Sequence, residues 1–194
     1  MRVLNLFGGP SSGKSTNGKL VSGILSAMGL KTELVEEYAK GLVHAQHTNM
    51  FEQQELILAE QNKKQKILEK HNYDLVITDS PLLLINIYKD EYNLPKYPLE
   101  FEEFIKWRFN TYDNINIFLE RELEYDENGR VQTEDEANRI EKKIKKYLDD
   151  NNYPYITIKS KKGLSTSKKI IKYLEKNNII DKQSKLKLKL KVIK

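Results

Sequence analysis

The chain has 194 residues, 39% of them apolar and 31% charged, a length that suits one domain burying roughly 70% of its unfolded surface. No apolar run approaches the roughly 20 residues that span a bilayer, and cysteine is absent, which excludes disulfides and thiol chemistry. The formal net charge of +5 sits at the end of the chain: residues 182–194 carry six lysines and no acid, leaving 27 basic side chains against 28 acidic ones elsewhere.

A nearly neutral body argues against the distributed basic surface of a nucleic-acid enzyme. The chain enters its first strand at once, with no charged segment, apolar core and cleavage site ahead of it, so a cytoplasmic, membrane-free protein is expected.

Residues 3–7 form an apolar run that reads as a short buried strand. The next eight are Gly8, Gly9, Pro10, Ser11, Ser12, Gly13, Lys14 and Ser15, followed by Thr16. They match G-x-x-x-x-G-K-[ST], a phosphate-binding loop. A helical pattern over 15–28 follows, with Leu20, Ile24 and Leu25 on its apolar face, so strand, glycine-rich turn and helix come in the order the motif needs. The physical reading is direct. Inward-facing backbone N–H groups make a concave anion site. Gly8 and Gly13 allow backbone angles and close approach that a Cβ blocks. The helix N-terminus adds its dipole. Lys14 can place a point charge between β- and γ-phosphates, and the Ser15 hydroxyl suits Mg²⁺, a hard cation that takes oxygen ligands.

Residues 32–35 read as the second strand, followed by Glu36 and Glu37. Carboxyl ends of strands in open parallel sheets face the binding crevice, so one glutamate is a candidate base or hydroxyl ligand and the other a solvated charge. Residues 50–68 read as a long amphipathic helix with Phe51, Leu56, Leu58 and Ile67 toward the core. Residues 74–79 are a third strand ending in Asp79, expected beside the first. A carboxylate there can hold a Mg²⁺ shell or accept the proton of an attacking hydroxyl.

A helical stretch over 82–88, a loop over 91–98 and a helix over 99–109 follow, the last carrying Arg108 as a weaker substrate-side candidate. Residues 115–119 form strand four. A charged connector spans 121–132, and its arginines, Arg121 and Arg130, match phosphoryl oxygens in a lid expected at about 121–133; Arg139 is a lesser candidate. The helix over 133–148 opens on Thr133, Glu134, Asp135 and Glu136, a capping box. Residues 155–158 and 166–174 supply strand five and the last helix. His44 and His47 lack the third ligand that zinc needs. Residues 185–192 alternate lysine with apolar residues and read as an accessory tail outside a 1–181 domain. Strands alternating with helices predict an α/β protein with a parallel sheet covered on both faces.

Four segments together resemble the P-loop kinases related to the nicotinamide riboside kinase domain of NAD-metabolism regulators, often labelled AAA-type ATPases in phage and bacterial genomes. They are the loop at 8–16, Glu36-Glu37-Tyr38-Ala39-Lys40, the strand at 74–79, and the connector running through Gly129 and Arg130 into Thr133 and Glu134. The chain departs from that pattern at Pro81, where relatives often carry a second aspartate, and at Lys40, where they often carry arginine. The resemblance covers residues 1 to about 160. It implies a three-layer P-loop fold with a five-stranded sheet in the order 2-3-1-4-5, ATP with Mg²⁺, and phosphate transfer to a nucleoside-like acceptor.

The resulting expectation is a small-molecule kinase acting on a nucleoside, nucleotide or ribosyl compound. Lys14 would neutralise charge, Asp79 or Glu37 would take the acceptor proton, Ser15 and Asp79 would hold the metal, and Arg121 and Arg130 would close over the phosphates. A kinase of nucleic acid, including modified bases, is the alternative that the tail lysines motivate. A nucleotide-dependent regulatory ATPase is a third. A guanine-nucleotide switch is disfavoured because Asn62-Lys63-Lys64-Gln65 lacks the base-reading aspartate.

Overall fold

Odd and even residues of the first strand point to opposite sides of a sheet, and both sets are apolar, so the strand needs cover on both faces. That cover is what the protein provides. A computed structural model describes residues 1–44, 53–90, 97–122, 124–125 and 133–180. In chain order the elements are β1 (Arg2–Phe7), α1 (Lys14–Ala27), β2 (Thr32–Val35), α2 (Tyr38–His44), α3 (Gln54–Glu69), β3 (Leu75–Thr78), α4 (Leu84–Tyr88), α5 (Leu99–Asn110), β4 (Asp113–Arg121), α6 (Glu134–Asp150), β5 (Ile156–Ser160) and α7 (Ser165–Lys176). The strands form one parallel sheet in the order β2-β3-β1-β4-β5. Central β1 pairs Val3 with Val76 of β3 and Leu4 with Ile115 of β4. This is a three-layer α/β fold with the strand order that the sequence resemblance implies.

Two apolar layers hold the helices to the sheet. Leu4, Leu6, Leu75, Ile77, Ile117 and Leu119 pack against Val21 and Leu25 of α1 and Ile170 and Leu174 of α7. Val3, Phe7, Val76 and Phe118 pack on the other face, against Ile57, Leu58, Ile105, Ile140 and Ile144. Burying each such side chain contributes about 1.5–3 kcal/mol. The run Leu82, Leu83, Leu84 and Ile85 is buried in this second layer.

Several expectations need revision. The helix at 38–44 was not anticipated; it begins inside the Glu36–Lys40 segment, with the Tyr38 amide donating to the side-chain Oε1 of the buried Gln61 of α3 at 3.1 Å. Ile67, expected in the core, is 53% exposed. The buried face of α3 is instead Gln54, Ile57, Leu58, Gln61 and Gln65, a half-polar stripe that apolar periodicity alone misreads. Leu20 and Ile24 are only partly buried, and Val21 joins Leu25 in the core of α1. Strand four runs longer than 115–119, reaching Arg121, and thereby takes that residue out of the connector. Phe51, Arg130, residues 91–96 and the tail at 182–194 lie outside the described residues.

The amino end of α6 carries the expected capping box. The Glu136 amide donates to Thr133 Oγ1 at 3.3 Å, and the Thr133 amide donates to Glu136 Oε2 at 2.8 Å. These bonds satisfy two donors the helix leaves open. Thr133→Ala is expected to lower unfolding free energy by about 1 kcal/mol. Ile144→Ala, which opens a cavity in a fully buried site, should cost about 2–5 kcal/mol. Urea unfolding followed by circular dichroism would measure both; equal costs would contradict the packing described here.

Candidate active site

Between β1 and α1 the chain must reverse within six residues, and the backbone does so through positive φ at Gly8 (144°), Ser11 (59°) and Gly13 (82°). Glycine is required at Gly8 for space as well as angle. A Cβ there would stand 2.6 Å from Ser12 Oγ and 2.7 Å from the Leu119 carbonyl. A Cβ on Gly9 would stand 2.9 Å from Glu141 Cβ and 3.0 Å from the Ala137 carbonyl. The loop is therefore pressed against the end of β4 on one side and against α6 on the other. Its residues are nearly all buried.

The α1 amino terminus opens from Gly13 with no side-chain cap and no acid in its first turn, so its N–H groups and dipole face the loop uncompensated. Lys14 lies back across the loop, its Nζ donating to the carbonyls of Gly8 at 2.8 Å and Gly9 at 2.9 Å. The Lys14 cation is thus held against the loop's own carbonyls.

Asp79 stands one residue past the end of β3, adjacent to β1. It is 1% exposed, not a solvated strand-end acid. Its Oδ1 accepts the Glu37 backbone N–H at 2.9 Å. Its Oδ2 is buried and has no partner among the described residues. A buried carboxylate oxygen without a partner is costly unless something binds there. Ser15, Glu37 and Asp79 line one cleft of about 510 Å³, together with Lys19, Glu36, Tyr38, Lys40, Leu42 and Lys64. An orphaned carboxylate oxygen and a serine hydroxyl on one cleft are the all-oxygen donors that Mg²⁺ accepts, so the residues present fit that ion. No cluster of three or more His, Cys, Asp or Glu with metal-binding geometry occurs among the described residues.

Of the two glutamates, Glu36 is the exposed one. It pairs with Lys19 Nζ at 2.7 Å, and this lysine holds its carboxyl below the usual range. The Glu36 carbonyl accepts from Lys64 Nζ at 3.0 Å. Glu37 is half-buried and turned into the cleft with Asp79.

The arginines are held differently from each other. Arg121, the last residue of β4, bonds Glu134 Oε1 at 3.1 Å and the Asn138 carbonyl oxygen, and lies over the Tyr125 ring. It is fastened to the start of α6 in this conformation. Arg139 is exposed on the same helix. Arg108, read as a substrate-side residue, is a structural cation instead: it is 8% exposed and bonds Asn62 Oδ1 at 2.6 Å, Glu69 Oε1 at 3.1 Å and the Tyr112 hydroxyl. Burial raises the Tyr112 hydroxyl well above its ordinary range, keeping it a neutral partner.

The sequence reading missed Glu141. It lies on α6 between the buried Ile140 and Ile144, and an acid placed within an apolar helical stripe was the available signal. The lysines at 19 and 64 carried no motif.

A family model described as an AAA domain matches residues 3–164. No curated protein sequence matches the chain. Solved structures of deoxyadenosine kinase from M. mycoides are similar in fold. The form with bound dATP gives a TM-score of 0.59 at 18% identity, covering 91% of this chain and 99% of that one. The form with dCMP and a flexible dCDP gives 0.58 at 19% identity, covering 92% and 100%. The form with dCTP gives 0.55 at 17% identity, again covering 92% and 100%.

The loop geometry predicts that Gly8→Ala is severe. The added methyl meets a backbone carbonyl that cannot withdraw, and the substituted residue must hold a left-handed angle. The expected result is loss of detectable triphosphate binding by calorimetry, together with a lowered melting temperature. Wild-type binding in this variant would mean that the loop is looser than described.

Proposed function

We propose that this chain, a member of the AAA domain family, is a kinase that transfers the γ-phosphoryl group of ATP to a hydroxyl of a nucleoside-like small molecule. One observation carries the reading: the buried Asp79, with one oxygen fixed by the Glu37 amide and the other unpaired, opens onto the same cleft as the Ser15 end of the phosphate loop. Such a carboxylate serves to hold the metal shell, and in a transfer enzyme it can also take the acceptor's proton.

In this reading residues 8–16 wrap the triphosphate with main-chain N–H groups. Lys14 exchanges the Gly8 and Gly9 carbonyls for β- and γ-phosphate oxygens. Magnesium, held by the Ser15 hydroxyl and the Asp79 carboxylate, would supply charge neutralisation at the phosphate oxygens when bound. Asp79, or Glu37 beside it, accepts the proton of the attacking hydroxyl. The acceptor lies in the cleft over Tyr38 and Leu42, near the acids and away from the loop's α6 side. Arg121 supports the transferring group from the side of α6, with Arg130 assisting. Most of the rate gain comes from positioning and electrostatics, since the protein makes no covalent bond to the phosphoryl group.

The similarity in fold to deoxyadenosine kinase and the sequence resemblance to nicotinamide riboside kinases both favour a ribosyl hydroxyl as the acceptor. The test is ADP formation across a panel of deoxynucleosides, ribonucleosides, nicotinamide riboside and nucleoside monophosphates. At least one member should stimulate ADP release. Lys14→Ala should abolish it, and Asp79→Asn should lower kcat by about 10²-fold or more. ADP release that no acceptor accelerates would sink the kinase reading and favour a regulatory ATPase.

A further inference from the structure

Glu141 is a titratable group that the transfer chemistry leaves unused, and it touches the phosphate loop. Its Oε1 accepts the Arg121 backbone N–H at 3.4 Å. Its Oε2 is buried and has no partner among the described residues. That same Oε2 lies 3.2 Å from the position a Cβ on Gly9 would take, and the Glu141 Cβ lies closer still. Gly9 in turn gives its carbonyl to Lys14 Nζ. One side chain therefore spans the last residue of β4 and the second glycine of the loop.

We propose that Glu141 is a positioning residue of the nucleotide site: its side chain packs against the Gly9 segment of the phosphate loop while its Oε1 holds the Arg121 amide, so that the loop and the end of β4 are held as one unit. This rests on the nucleotide-binding half of the proposed function, not on the identity of the acceptor.

The surroundings make this carboxyl hold its proton more tightly than an exposed glutamate does. Burial raises the Glu141 carboxyl above its usual range, and the nearby Glu120 of β4 raises it further, against the lowering effects of the Arg121 amide and guanidinium and of Lys14. The polyanion reinforces this, because a carboxylate against the loop would repel the phosphates that the loop exists to hold. A protonated carboxyl has the opposite character. It keeps one oxygen as acceptor for Arg121 and gains an O–H donor at the unpartnered oxygen.

The sign of the pH dependence is fixed. The folded carboxyl binds its proton more tightly than the unfolded one. Its stabilising contribution is therefore complete below the unfolded pKa and is lost as pH rises through the raised folded value. Nucleotide affinity should fall over the same upward interval.

The experiment measures the affinity of the full-length protein for a non-hydrolysable ATP analogue with magnesium, by calorimetry from pH 5 to 9, for wild type, Glu141→Gln and Glu141→Leu. Glutamine keeps the side-chain volume and an acceptor for the Arg121 amide but does not titrate. Expected are a wild-type affinity that weakens as pH rises, a Glu141→Gln affinity within about twofold of the wild-type acid-side value and flat over that interval, and a Glu141→Leu affinity at least tenfold weaker at every pH. Melting curves run in parallel separate loss of fold from loss of site. Three well-folded proteins of equal affinity would overturn the inference. So would a Glu141→Gln titration that keeps the wild-type pH dependence. Failure of wild type to bind the analogue would overturn the proposed function and this inference together. Binding that obeys the pattern above without any acceptor activity would leave only the acceptor half of the proposed function in error.

Discussion

The structure depends on a tight main-chain turn held in a shape that only close packing around it maintains. Between Phe7 and Lys14 the backbone takes positive φ angles at Gly8, Ser11 and Gly13, the kind of turn whose backbone N–H groups can form an anion-binding concavity. Such a turn would relax if left alone, because its amides could find partners by refolding locally. Here it is pinned from outside. The Leu119 carbonyl and Ser12 Oγ close on Gly8, and Ala137 and Glu141 of α6 close on Gly9. The sheet registers β1 against β4 up to Phe7 opposite Phe118, and β4 continues to Arg121, so its end runs alongside the loop that β1 delivers.

The acid side of the cleft has the same origin. β1 and β3 are neighbours although 68 residues separate Phe7 from Leu75, and their parallel pairing sets Thr78 opposite Asn5. Asp79 therefore emerges at the carboxyl edge of the sheet, next to the turn. β2 pairs Val35 with Thr78, which carries Glu36 and Glu37 to that edge too. Three acids and the loop converge because parallel strands all end on one side. Burial then differentiates the acids: Asp79 is enclosed and tied to a backbone amide, Glu37 is half-buried, and Glu36 is exposed and neutralised by Lys19. On the far side of the loop, α6 contributes Glu141, whose raised carboxyl contrasts with the lowered one of Glu36. The environment alone sets the two apart.

Some of this was legible residue by residue. The loop declares itself because its chemistry needs glycine, lysine and a hydroxyl at fixed offsets within one local turn. The capping box of α6 is legible for the same reason, since Thr133 and Glu136 interact three residues apart. Strand positions followed from continuous apolar runs such as Leu75–Thr78. Helix faces were harder to read. α3 buries Gln54, Gln61 and Gln65, so a rule that turns apolar residues inward sent Ile67 to the wrong side. Arg108 looked like a ligand-binding cation because its partners, Asn62 and Glu69, are 46 and 39 residues away. No local pattern reveals a buried ion pair of that span.

By itself, the sequence determined the local devices: the anion turn, the strand-ending acid, the helix cap and the α/β alternation. Each depends on residues within a few positions of one another, where backbone sterics and hydrogen-bond reach decide the outcome. Only the tertiary structure decided which of those devices meet. It sealed Asp79 from water, moved Arg121 from a connector into a strand, made Arg108 part of the core, and brought Glu141 against Gly9. The reason is that burial and electrostatics act through space, while the order of residues along the chain fixes distance only over a turn or two.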